Sequence, residues 1–395
     1  MTRPRLMLPF EAEVRFILAA AMLLFIYTVV VGILNGLDLV EFSRPALLAH
    51  LHVGTLGWIT LTVFAASLAF FGSAEAERSG WVKQLARIAP AVALLYNIEF
   101  LTTAGMLRPA VGALMLLVIL AFGWWGFMHA GGHVMSVPRL GILAGLATSV
   151  IGAVLGVLLG IYIANPTSGI TPLVANAHPA TMVVGFLVPV GMALSEWAIR
   201  PESLEERASL AGRLQILLPF SGGISLLIGT LAGVLPLVML SLPLEIVGLA
   251  IYLARIVPRF GAVSWLAASP ARHGVVAVLF LVVNIAILTY LIATYAAKNF
   301  EGAPPQLFLA LDHSIFVGVL TNTVIAFVLK LSAASRPAWV DHVVFWGVAA
   351  GVVLFVGGLL GDSTPLIRVG TPVLGGAILL AIGAHVRGVV RVPSA

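Results

Sequence analysis

Four histidines lie at positions where a membrane helix has no ordinary use for them. They occur in Ala49-His50-Leu51-His52, Ala177-His178-Pro179 and Asp312-His313, with 128 residues from His50 to His178 and 135 from His178 to His313. A neutral imidazole nitrogen suits haem iron and copper alike. Polar side chains within a bilayer are costly and usually functional. A single such histidine is equally well explained by a hydrogen bond to a nearby carbonyl. A repeated set at one depth points instead to a buried metal or haem site. His50 and His52 are two residues apart, hence about 200° apart on a helix. They cannot both ligate one iron. One binds haem while the other faces a neighbouring helix, a second metal or a propionate, and the spacing does not choose between them.

The elements that must position these groups are membrane helices. The chain has 395 residues, 61% hydrophobic and 9% charged, with a mean hydropathy of +1.11. That balance describes an all-α polytopic membrane protein in a single integral membrane domain, 1–395. At roughly 20 apolar residues per crossing, about twelve spans fit: 11–36, 45–72, 84–106, 109–130, 139–163, 173–198, 214–234, 236–257, 273–297, 305–331, 339–360 and 365–386. The first run is full-length and lacks a small-residue cleavage site, so no cleavable signal is expected. Cysteine is absent, which removes disulfides, thiolate-bound clusters and covalently attached haem.

The net charge of +5 follows topology and does not point to nucleic acid. Seventeen of the 21 basic residues, Arg3, Arg5, Arg336 and Arg391 among them, fall on one side; Arg44, Arg108, Lys298 and Arg368 fall on the other. The positive-inside rule then expects both termini in the cytoplasm, in a bacterial inner membrane. Spans 2, 6 and 10 start near Pro45, Pro172 and Pro305, which places the histidines about 7–12 Å below the start of each span, in the outer third. The recurrence every four spans, the repeated Ala-His, and a glycine seven residues after His50 and His178 (Gly57, Gly185) point to three four-helix units in pseudo-threefold arrangement.

Other groups are open to two readings. Glu99, Glu245 and Asp312 either relay protons or orient ligands, or are carboxyls neutralised by burial. Thr321, Asn322 and Thr323 read as interhelical hydrogen-bond partners. Arg368, expected on the loop between spans 11 and 12, and Arg44, at the start of span 2, either hold haem propionates or anchor the chain at the interface. His129 and His133, four apart at the end of span 4, would share a helix face as a metal pair does. His273, His342 and His385 are expected at helix ends, facing water.

Twelve spans with histidines on the second, sixth and tenth resemble catalytic subunit I of the haem–copper oxidase and nitric oxide reductase superfamily. Ala49-His50 with Val53 is similar to that family's helix-2 haem motif, with His52 as a competing register. His313 matches the second histidine of the helix-10 His-x-His, and Leu311 stands where the high-spin haem ligand would be. His178-Pro179 is similar to the copper-binding His-Pro. Arg368 matches the region whose arginines hold propionates. The departures are a helix 7 without histidine from Gly223 to Pro236, and Met182 where an oxidase tyrosine would stand. The NnrS family of nitric-oxide-response membrane proteins is a comparison of similar size. The resemblance implies haem b bound through His313 and His50 or His52, with copper a candidate at His178. It implies electron transfer or haem-linked handling of NO or oxygen, without a standard binuclear centre. The expected partners are the lipid bilayer, haem, and other electron-transfer subunits or a cytochrome. A membrane transporter of a metal ion, haem or small solute is the alternative.

Overall fold

The computed structural model describes residues 9–78, 80–102, 105–298, 300–331 and 337–390. Arg3, Arg5, Arg336 and Arg391, used above to orient the chain, lie outside them. Among the described residues there are helices and no strands. Twelve helices are long and apolar enough to cross a membrane: α1 (Glu11–Gly36), α2 (Arg44–Phe71), α3 (Gly80–Thr102), α4 (Leu107–Ala130), α5 (Val137–Ala164), α6 (Val174–Ile199), α7 (Leu210–Ala232), α8 (Leu235–Ala262), α9 (Pro270–Lys298), α10 (Pro305–Leu331), α11 (Ala338–Leu360) and α12 (Thr364–Val389). The chain is therefore an integral membrane protein.

The helix starts fall within four residues of the expected ones, because capping chemistry marks them. Ser43, Ser136, Ser209 and Ser269 each accept a first-turn N–H through the side chain. Pro45, Pro138, Pro270 and Pro305 fill first-turn positions where no donor is needed. Helix α6 begins at Val174, two residues after Pro172. Arg368 is a correction of place: it lies inside α12, not on the preceding loop.

Nine helices close a ring. Neighbours around it are α1, α3, α4, α5, α7, α8, α9, α11 and α12, and α12 returns to α1. Inside the ring stand α2, α6 and α10. In each of these three, 83% of the most apolar 18-residue stretch is buried, against 28–56% for the other nine. They are not the most apolar spans: their hydropathies are 1.7, 1.8 and 1.9, against 2.7 for α1 and 2.8 for α9. Lipid is as good a solvent for apolar side chains as the protein interior, so polar residues, and not hydropathy, select the inner positions.

The inner helices are sealed over only half their length. Residues 57–68, 184–198 and 318–329 are buried without a break. Towards the other end the same helices open: of residues 44–56 only Ala49 and Val53 are buried. All four histidines of the opening set lie in this open half, here called the histidine end.

A π-helical segment interrupts each inner helix where the two halves meet, at Val53–Thr60, Met182–Leu187 and Ser314–Thr321. The i→i+5 pattern leaves carbonyls to be satisfied by side chains. Thr321 Oγ1 donates to the Phe316 carbonyl at 2.9 Å, and Asn322 Nδ2 to the Gly318 carbonyl at 3.0 Å. Each segment holds a glycine pressed closely on the first helix of its own unit. A Cβ would stand 3.3 Å from Leu24 at Gly57, 2.7 Å from Thr148 at Gly185 and 2.4 Å from Phe280 at Gly318. Eight residues before each glycine is a fully buried alanine, Ala49, Ala177 or Ala310. The three units thus share one structural register, closer than the sequence spacing of the histidines discloses.

Candidate functional site

The histidine layer is built on the last helical turn before each π segment. His313 is the residue immediately before its segment. Its Nδ1–H donates to the Leu309 carbonyl one turn back at 2.8 Å. His52, in the same place on α2, makes the matching bond to the Leu48 carbonyl at 2.8 Å. His178 donates from Nδ1 to the Gly152 carbonyl on α5 at 2.9 Å. A carbonyl can only accept, so each of these rings carries its proton on Nδ1 and presents the Nε2 lone pair. Such a bond fixes both tautomer and ring orientation in histidines that ligate metals.

His50 differs. Its carbonyl accepts from Thr28 Oγ1 at 3.1 Å, while its Nδ1 is buried without a hydrogen-bond partner. Leaving such a group unsatisfied costs on the order of 1–3 kcal/mol. The ring lies against Gly32 of α1, where an added Cβ would stand 3.4 Å from His50 Cε1.

The four imidazoles fall into two pairs on opposite sides of α2. The His50 ring is within electrostatic reach of His313. The His52 ring is within electrostatic reach of His178 and of the Arg108 guanidinium. His313 packs edge-on against Phe355 of α11, with centroids 4.8 Å apart. His52 stacks on Phe100 of α3 at 4.1 Å. His50 and His52 therefore have different neighbours, one on α10 and the other on α6.

Arg368 reaches Asp38 at 3.4 Å, with both side chains largely exposed at the histidine end. Arg44 is the first residue of α2 and is exposed. Asp312 is half-buried between Leu311 and His313, whereas Glu99 and Glu245 are buried. Neither carboxyl oxygen of Glu245 has a hydrogen-bond partner.

Two expectations about the remaining histidines are corrected. His129 and His133 do not share a helix face, because α4 ends at Ala130. His129 bonds the Trp125 carbonyl at 2.8 Å and His133 the Phe71 carbonyl at 3.0 Å. His273 and His385 do not face water; they are 0% and 1% exposed. His273 Nδ1 donates to Asn322 Oδ1 at 2.9 Å, which also identifies the partner of Asn322. His385 Nε2 stands 3.8 Å from Asp341, and Arg272 reaches His342 Nδ1 at 3.0 Å. Packing of α9, α11 and α12 encloses these groups in a polar cluster at the end opposite the histidine layer.

Sequence reasoning also passed over an ion cluster there. Arg255 spans both carboxylate oxygens of buried Glu196 at 2.9 Å, and Gln215 donates to the same carboxylate at 2.9 Å. Its residues come from α6, α7 and α8, far apart in the chain. Among the described residues no three His, Cys, Asp or Glu side chains converge as a metal site. No known family model matches this chain, and no curated protein is significantly similar to it.

Proposed function

We propose that this membrane protein binds haem b between His50 and His313 and uses it to transfer electrons. The observation that carries the proposal is that imidazoles from two inner helices, His50 and His313, lie within electrostatic reach of each other in the unsealed half of the bundle. The side chains present fit an axial pair. His313 is anchored through Nδ1 with Nε2 left for iron. The His50 ring lies on Gly32 with its buried Nδ1 unpartnered, so no carbonyl holds it in one orientation and a ligand could set it. His50 is then the helix-2 ligand of this haem.

Haem ligated by two imidazoles supplies one-electron chemistry at an iron with no open position, which favours electron transfer over binding of a gas. The chain's residues do the rest. The Leu309 carbonyl holds the His313 ring in one orientation, and Phe355 packs on its edge. The buried π segments close the site from below, which excludes water and bounds the space to the histidine end. Arg368 and Arg44 are the cations at that end which could meet propionates on this side of α2; Asp38 competes for Arg368.

The arrangement supports the kinship with the haem–copper oxidase superfamily, as a divergent oxidoreductase-like member. Reduction of oxygen or NO at a haem–copper centre is not part of the proposal. His178, the candidate copper ligand, is within electrostatic reach of His52, and among the described residues no three His, Cys, Asp or Glu side chains converge as a metal site. The test is haem content and absorption of purified His50→Ala and His313→Ala proteins. Each variant is expected to lose the same single equivalent of low-spin haem. Unchanged haem content in both would overturn the assignment.

A further inference from the structure

We propose that His52 and His178 hold a second haem, in a site that repeats the His50–His313 site by the internal symmetry of the fold. The inference rests on reading His50–His313 as a haem site. Its evidence is the common register of the three units, set by the buried alanine and the close-packed glycine of each inner helix.

Counted from those glycines, His50 and His178 occupy the same position, seven residues before Gly57 and Gly185. His52 and His313 occupy another, five residues before Gly57 and Gly318. Both pairs therefore join a seven-before histidine of one unit to a five-before histidine of the preceding one. His50 meets His313, and His178 meets His52. The remaining pairing would join Leu311 to Ala180, which have no ligand atoms. One cyclic rule thus yields two imidazole pairs and one pairing without a ligand atom.

The surroundings repeat with the ligands. Each seven-before ring lies on a glycine of the first helix in its unit: a Cβ would stand 3.4 Å from His50 at Gly32 and 3.2 Å from His178 at Gly156. Each five-before ring packs on a phenylalanine of the third helix: Phe355 for His313 and Phe100 for His52. Each pair has an arginine near the start of the fourth helix of one of its units, Arg368 on α12 and Arg108 on α4, and Arg108 is within electrostatic reach of His52. The Arg108 guanidinium lies 4.8 Å from the Phe100 ring centre, on the ring that stacks against His52. Around the remaining pairing, α9 of the third unit has a single glycine, Gly274, at its opposite end, and α8 of the second unit starts with Leu235-Pro236 and no arginine. Histidine pair, glycine cradle and arginine are present together in two gaps and missing together from the third. Packing alone gives no reason for that correlation.

Both rings of the second pair are anchored through Nδ1, to Leu48 and Gly152, with Nε2 left for iron. Aromatic side chains and a cation beside them suit a flat, apolar macrocycle with carboxylate substituents. Helix α2 then supplies one axial ligand to each of two haems, from residues two apart, and links the two sites.

The experiment measures haem per chain by extraction as the pyridine complex, together with low-temperature spin-resonance spectra of the oxidised protein. The full-length chain is compared with His178→Ala, His313→Ala and the double variant, each first shown to be monodisperse and helical. Expected values are two haems for the parent, one for each single variant and none for the double. The two single variants should keep different low-spin signals. One haem in the parent, lost in His313→Ala and kept in His178→Ala, would overturn the second site and leave the first standing. No haem in the parent would overturn both. If His178→Ala does not fold, His178→Gly purified with free imidazole should regain the second signal. A folded His178→Gly that keeps two haems without imidazole, or copper bound in place of the second haem, would also overturn the proposal.

Discussion

The gap between α2 and α10 and the gap between α2 and α6 are alike in plan and different in finish. Both place one imidazole on a glycine and one on a phenylalanine. In the α2–α6 gap both rings are tied to backbone carbonyls. In the α2–α10 gap only His313 is tied, and the Nδ1 of His50 has no partner. A ring held by a carbonyl is pre-oriented before any ligand arrives. A ring without that bond gains its orientation from whatever it ligates. The bordering cations differ in the same sense: Arg368 is largely exposed and shared with Asp38, while Arg108 is half-buried against Phe100. The α2–α6 pair is thus the more preorganised of the two, and the third pairing shows the same framework without histidines.

The comparison can be broken most severely at the ligands. His50→Ala and His178→Ala should each abolish one site and leave the other's optical spectrum in place. A single substitution that erased both would mean the sites are not separate. Next in size are the cradles. Gly156→Val and Gly32→Val should each displace the ring above them, at about 1–3 kcal/mol for an overpacked contact. Gly156→Val is expected to lower haem retention more, because the approach to His178 is the tighter. Titrating haem into the two apo variants measures this, and an equal effect would remove the difference in preorganisation.

The arginines come third. Arg108→Leu should weaken haem binding by about 1.5–3 kcal/mol if it meets a propionate, as hydrogen bonds to charged groups do. Arg368→Leu should cost only about 0–1 kcal/mol, because an exposed ion pair is already screened. Binding isotherms for the two variants decide it, and the reverse order would argue that Arg368 is the buried partner once haem is bound. Smallest in its effect on haem is Asn322→Ala, in the sealed half, which touches neither histidine pair. It leaves the buried Nδ1 of His273 without its acceptor and should lower thermal stability by about 1–3 kcal/mol. Haem content of the folded variant should not change.

Much of this arrangement could be read from the chain. The twelve spans followed from apolar run length, with prolines near three of the starts, which report local physics. Which three spans stand inside did not follow from hydropathy, since α2, α6 and α10 are of middling apolarity; their histidines marked them. The register was half legible. Ala49 with Gly57 and Ala177 with Gly185 were visible as an echo, but the third copy was hidden because Leu311 replaces the histidine after Ala310. Aligning on His313 instead of Gly318 shifts that unit by two residues. The choice between His50 and His52 was not legible, because opposite faces of one helix acquire partners only when other helices are placed beside them. Arg108 read as one of a few outer cations, and its stacking on Phe100 depends on the approach of α3 and α4. His273 and His385 looked solvated because they stand at helix ends, yet neighbouring helices cover those ends.

The central claim, that these imidazoles are axial ligands, is tested most directly by the reduced-minus-oxidised absorption spectrum of the purified protein, before and after carbon monoxide. The account predicts sharp low-spin b-type bands that carbon monoxide leaves unchanged, because both axial positions are filled. No haem absorption in protein produced with haem available, or a spectrum that carbon monoxide shifts completely, would contradict it.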